Sequence, residues 1–236
     1  MLGAGGWLGA ALLTRVLGAG HCRVGAWVDG DAQWRGSTHR GLVAVPAATW
    51  EAPDDAAQRA WAGATAYVVL ERAGLNGTRD AVFPSPSADN LPALGAALLR
   101  LGVTRLVVVV PHGSNALPAA LAHGFADLQE QALGALPLEQ LLLVRASQTA
   151  ADDAGGGWLH RLAALWWAQL RWMIPSNEQP LRSVALAEVV VNATALLNEV
   201  QARGVRVLPQ GLASRAAHAQ SGWRKVLLDW AQGGSG

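Results

Sequence analysis

Gly3-Ala4-Gly5-Gly6-Trp7-Leu8-Gly9 stands almost at the start of the chain, and Leu12, Leu13, Val16 and Leu17 follow it at helical spacing. Gly3, Gly6 and Gly9 form a G-x-x-G-x-x-G series. Each glycine has a physical task in a loop that holds a pyrophosphate. The first permits a tight turn out of a strand, and the second lets backbone N–H groups approach the phosphates. The third lets the next helix pack closely on a sheet, so that its positive N-terminus faces the anion. A glycine series alone is a weak signal, because an alanine- and glycine-rich turn without a ligand has the same composition. Its place strengthens it: it opens a helix and precedes alternating strands and helices. Gly18 and Gly20 are expected to end that helix, since glycine accepts a left-handed cap. Only Met1 and Leu2 stand before Gly3, whereas a strand there should have about five or six residues. The first strand is therefore expected to be very short, or to be missing through a misplaced start, with loss of cofactor affinity in the second case.

Outward from the loop, short apolar runs alternate with longer helical stretches. Strands are expected at Arg23 to Val28, Leu42 to Val45, Ala64 to Leu70, Thr104 to Val110, Gln140 to Val144 and Val205 to Leu208. The run TRLVVVV, residues 104–110, suits a parallel strand buried on both faces. Helices are expected at Asp54 to Trp61, Leu91 to Leu101, Leu117 to Leu136, Gly157 to Met173 and Val184 to Gln201. A terminal helix is expected at Gly222 to Gln232, capped by Ser221. This alternation predicts an α/β protein: a Rossmann-type, doubly wound parallel sheet with right-handed crossovers. No linker divides residues 1–236, so one domain is expected, with residues from about 150 to 236 carrying substrate-side or partner-side helices.

Composition agrees with a buried globular core: 51% of residues are hydrophobic and 15% charged. A net charge of +1 leaves no electrostatic footprint for nucleic acid or an acidic membrane. The single cysteine, Cys22, excludes an internal disulfide and a cysteine metal cluster. The N-terminal stretch lacks a basic region ahead of its apolar residues, and no uninterrupted apolar run reaches about 18 residues. The expectation is a cytoplasmic protein without a transmembrane segment.

Asp29 stands about twenty residues beyond the loop, at the end of the second expected strand. An acid there bonds the adenosine ribose hydroxyls and repels a 2′-phosphate, favouring NAD. The alternative is that Asp29-Gly30-Asp31 is a polar turn. Arg35 and Arg40 are near enough in sequence to serve a 2′-phosphate, so NADP stays open beside NAD.

GAGGWLG, LGVTRLVVVVPHGS, PLEQLLLVRAS and PLRSVALAEVVVNATALL occur in that order. Together they resemble the atypical and extended short-chain dehydrogenase/reductases, in particular the NmrA-like and NAD-dependent epimerase-like group. Glu188 stands where that group usually has aspartate. The resemblance implies a dinucleotide on Gly3, Gly5, Gly6, Trp7, Leu8 and Gly9. It implies that Leu70 and Glu71 border the adenine or ribose side, and Val110, Pro111 and His112 the nicotinamide side. It also implies a catalytic tyrosine followed four residues later by a lysine that lowers the tyrosine pKa. That pair is absent. The only tyrosine is Tyr67 and the only lysine Lys225, and the helix that should bear the pair, Leu121 to Leu133, offers only His123, Asp127 and Glu130. His112 and Ser114 are the remaining weak candidates for acid–base chemistry, against a solvated loop histidine and a serine without a nucleophile elbow.

The segment GWLHRLAALWWAQLRWM, residues 157–173, is apolar with a thin arginine edge. It reads as a helix that covers the cleft or packs on the core, or as a partner or dimer surface, since tryptophan and arginine recur at interaction hot spots. Two functions follow. One is an NAD(P)-binding regulatory, redox-sensing or assembly module that lacks reductase chemistry. The other is an oxidoreductase or epimerase-like enzyme with nonstandard acid–base groups and a small-molecule ligand.

Overall fold

The valine run forms the strand against which the rest of the sheet is laid. A computed structural model describes residues 1–19, 23–28, 41–46, 49, 52–70, 83–84, 86–112, 128–147, 181–219 and 222–232, without the side chains of residues 111, 112, 146 and 147. Its strands are β1 (Val24–Val28), β2 (Leu42–Pro46), β3 (Thr65–Val69), β4 (Arg105–His112), β5 (Gln140–Ser147) and β6 (Gly204–Leu208). Its helices are α1 (Trp7–Gly18), α2 (Asp55–Trp61), α3 (Leu91–Arg100), α4 (Leu128–Gly134), α5 (Ser183–Glu199), α6 (Gln210–His218) and α7 (Trp223–Ala231). Strands β3 to β6 form an all-parallel sheet in chain order, and β1 pairs in parallel with β2.

Met1 and Leu2 join the two sheets. On one side the Trp27 amide donates to the Met1 carbonyl at 2.8 Å, and the Met1 amine donates to the Gly25 carbonyl. On the other, the Leu2 amide donates to Tyr67 at 2.8 Å, the Val69 amide donates to Leu2 at 3.1 Å, and Leu2 bridges Val68 in parallel. The order across the sheet is therefore β2, β1, Met1–Leu2, β3, β4, β5, β6. This is the Rossmann-like α/β arrangement, with Met1 and Leu2 standing in the place of its first strand.

Alternation along the strands divides the core in two. Val107, Val109, Leu142, Val144 and Leu208 face α1, α5, α6 and α7. Leu106, Val108, Leu141 and Leu143 face α3 and α4, with Ala57 and Trp61 of α2 packed on the same side. This placement fixes the relative hand of the crossovers. The steps through α3 and α4 move across the sheet in the same direction as the step from β5 through α5 to β6. Because α5 lies on the opposite face, its crossover has the opposite hand to those two. The expectation of a single hand throughout is corrected here.

The element ends also differ in places. Gly18 is the last residue of α1, but the cap is Ala19 in right-handed conformation (φ −67°), so no left-handed glycine ends the helix there; Gly20 lies outside the described residues. Asp54 is the N-cap of α2, accepting from the Ala57 amide at 2.7 Å. Gly222, without a side-chain hydrogen bond, occupies the cap position of α7 expected for Ser221, which is outside the description. Helix α6 was not expected, although Leu212, Ala213 and Ala216 give it a buried face. Residues 117–127 of the long helix expected before β5, and the tryptophan-rich segment 157–173, lie outside the described residues. Among the described residues, no helix is long and apolar enough to cross a membrane.

Met1 as a residue is half-buried, but its amine sits inside the sheet, and burial lowers the amine pKa from 8.0 to about 5. Between these values an unfolded chain with a free Met1 amine binds a proton that the folded chain does not. Stability is then expected to rise with pH from 5 to 8, by up to about 4 kcal/mol, and to level off above 8. Urea denaturation across this range, on polypeptide that begins at Met1 and on the same polypeptide N-acetylated, checks it: the difference between the two curves should carry this slope, and parallel curves would refute it.

Candidate functional site

The glycine turn leaves the sheet at the carboxyl end of Met1–Leu2. Gly3 has φ +75°, a conformation costly for residues with a side chain. A Cβ there would overlap the Val69 carbonyl oxygen and press on Pro86. A Cβ on Gly9 would overlap the Gly3 carbonyl oxygen. The turn is thus wedged between the end of β3 and the first turn of α1, and both glycines are required by that closeness. Gly5 and Gly6 are half-buried, and Gly6 is the N-cap of α1, its carbonyl accepting from the Ala10 amide at 2.8 Å. Gly6 supplies no side-chain cap, and the first turn of α1 carries no acid. The positive end of a 12-residue helix is therefore left without a negative side chain of its own, which suits an external anion.

The side chains expected around the turn divide sharply. Trp7 is exposed beside it. Leu8 is fully buried in the α1-side core, so it offers a ligand its backbone and not its side chain. Leu70 is likewise buried, on the α3 side, with its amide donating to Val109 at 3.0 Å. Val110 is half-buried on that same side. Pro111 and His112 extend β4 two residues past the expected end, in register with Ala146 and Ser147 of β5. The His112 side chain, and all of Asp29, Arg35, Arg40, Glu71, Ser114 and His123, lie outside the described residues.

The arrangement has a direction. The chain leaves Met1–Leu2 through α1 to β1 on one side, and leaves β3 through α3 to β4 on the other. The crevice between the carboxyl ends of Met1–Leu2 and β3 is therefore the point where strand order reverses, the position at which open α/β sheets bind ligands. The glycine turn forms one wall of that point. A shallow depression lined by Arg59, Leu99 and Arg100 lies at the opposite, amino edge of the sheet.

Two charged contacts accompany the site. Arg15 of α1 pairs with Glu188 of α5 at 2.5 Å, both half-exposed; such a pair adds little to stability. Glu130 of α4 pairs with Arg145 of β5, both buried. Sequence reasoning noted Glu130 as titratable but not this partnership. The available signal was the arginine that interrupts the apolar run LLLVRAS. Tyr67 is half-buried in β3 and Lys225 is exposed on α7, so neither lies on α4, where the resemblance requires the catalytic pair. Comparison with known proteins gives no further guidance: no family model and no curated protein matches the chain.

The glycine contacts give a direct test. Gly9→Ala should cost about 3 kcal/mol, because the overlap is with backbone that cannot turn aside. Gly18→Ala meets nothing within 4 Å and should stabilise by about 0.5–1 kcal/mol through helix propensity. Urea midpoints of the two variants measure both, and equal effects would disprove the packing described.

Proposed function

We propose that the protein binds NAD or NADP, with NAD preferred, and acts as a cofactor-dependent regulatory, redox-sensing or assembly module resembling the atypical short-chain dehydrogenase/reductases. The observation that carries this reading is the position of the glycine turn. It sits at the reversal of strand order, against a helix end without a side-chain cap or an acid in its first turn, in a sheet whose strand order is that of a dinucleotide fold. Gly3 and Gly9 fit a pyrophosphate cradle, because any side chain there would close the turn on itself. The backbone of Gly5 to Leu8 would hold the phosphates, Trp7 would flank them, and Asp29 would meet the ribose hydroxyls. Val110, Pro111 and His112 would border the nicotinamide end. The bound group would supply a redox-dependent shape and charge.

The missing Tyr-x-x-x-Lys pair favours recognition over hydride chemistry, since that pair is what would lower the barrier for proton transfer at a substrate carbonyl. The tryptophan-rich segment 157–173 is the proposed contact with a protein partner or a second copy, and the cytoplasm the proposed compartment.

Calorimetry with NAD, NADH, NADP and NADPH tests this directly. Binding of at least one dinucleotide is expected, and no heat at millimolar ligand would sink the reading. Asp29→Ala should weaken NAD more than NADP, and the reverse order would overturn the cofactor preference.

A further inference from the structure

Charge inside the sheet is concentrated at one place. Arg145 Nη2 donates to Glu130 Oε2, and the two side chains are 3% and 4% exposed. On β5, Leu141 and Leu143 pack against the α3 and α4 side, and alternation puts Arg145 third in that stripe. Thus an arginine occupies a core position where an aliphatic residue would pack. Glu130 lies in the first turn of α4, one helical turn from Leu133, which is fully buried in the same core. Stability does not account for the pair. Apolar side chains of similar volume in place of a buried ion pair are commonly as stable or more so, while losing one partner leaves a charge stranded.

What the pair adds is a fixed location. Arg145 is in register with Val110, one step before Pro111↔Ala146 and two before His112↔Ser147, where β4 and β5 end. The link therefore ties α4 to the carboxyl ends of these two strands. That is the edge of the sheet where the dinucleotide reading lays the nicotinamide half. The glycine turn and α1, which serve the phosphates, are built from other backbone on the far side of β3.

We propose that Glu130 and Arg145 are positioning residues for the nicotinamide half of the site. They hold the backbone of Val110 to His112 at a set height and angle relative to the glycine turn. The inference rests on the dinucleotide reading, and it divides the site into two halves with separate supports.

The test compares NADH with ADP-ribose, which lacks the nicotinamide. Both are titrated by calorimetry into wild type, the apolar double variant Glu130→Met/Arg145→Met, and Glu130→Asp, which keeps the charge but draws it back by one methylene. In the double variant NADH should bind about tenfold more weakly, the scale of one lost positioned contact, while ADP-ribose stays within about twofold of wild type. Its melting temperature should be unchanged or higher. Glu130→Asp should show the same selective loss to a smaller degree, and it carries the comparison alone if the double variant does not fold. Equal weakening of both ligands, or no change in either, would overturn the positioning role while leaving the dinucleotide reading intact. If wild type binds neither ligand, the dinucleotide reading itself fails and this role fails with it.

Discussion

The backbone hydrogen bonds of Met1 and Leu2 hold the molecule's two sheets together. Without them β1 and β2 would be a two-stranded ribbon, which is marginal by itself in water. β2 adds little burial of its own, as its residues are half-buried or exposed. The pair gains support on one face from Trp61 of α2, whose ring lies so close to Gly25 that a Cβ at that position would collide with it. A two-residue join is the least that can put a polypeptide between β1 and β3 with bonds to both. The crevice between the join and β3 exists only while those bonds hold, so the candidate site depends on this contact before it depends on any side chain.

The glycine series serves the fold first. Gly3 and Gly9 are excluded from carrying side chains by the Val69 and Gly3 carbonyls, whether or not a ligand is present. The same closeness packs α1 on the sheet end and brings its N-terminus to the crevice, so the requirement for glycine does not by itself separate packing from binding. The helix end is a second observation beside them. A helix that needed only to pack would gain from an acidic or hydroxyl cap, and α1 has neither.

Much of the architecture was legible because it follows from local pattern. The valine run, the apolar strand cores and the order of elements are written in short stretches, and the strand ends fall within one or two residues of expectation except at β5, which runs three residues past Val144. The apolar runs end at Val110 and Val144; in the fold, pairing of Pro111 with Ala146 and of His112 with Ser147 carries both β4 and β5 beyond them. Helix α6 is weakly written in the sequence: its buried face is Leu212, Ala213, Ser214 and Ala216, with a single large apolar side chain. The crossover of opposite hand was invisible, since a strand buried on both faces does not say which face the next helix takes. Glu130 and Arg145 were visible only as charges. Their partnership comes from α4 lying across β5, a fact of packing and not of sequence spacing.

That partnership bears on the choice between recognition and catalysis. In the described residues of α4, LQEQALG, Glu130 is the only titratable side chain, and it is paired with Arg145 inside the core. A group that exchanges protons with a ligand must reach it, and the Glu130 side chain is 4% exposed. Removing either partner would strand the other's charge in the core, which is why broken buried ion pairs are costly. Among the described residues of the helix where the resemblance requires the acid–base pair, the one ionisable side chain is held in a contact with β5. A ligand at this edge would meet the paired backbone of β4 and β5 on one side and the N-terminal end of α1 on the other.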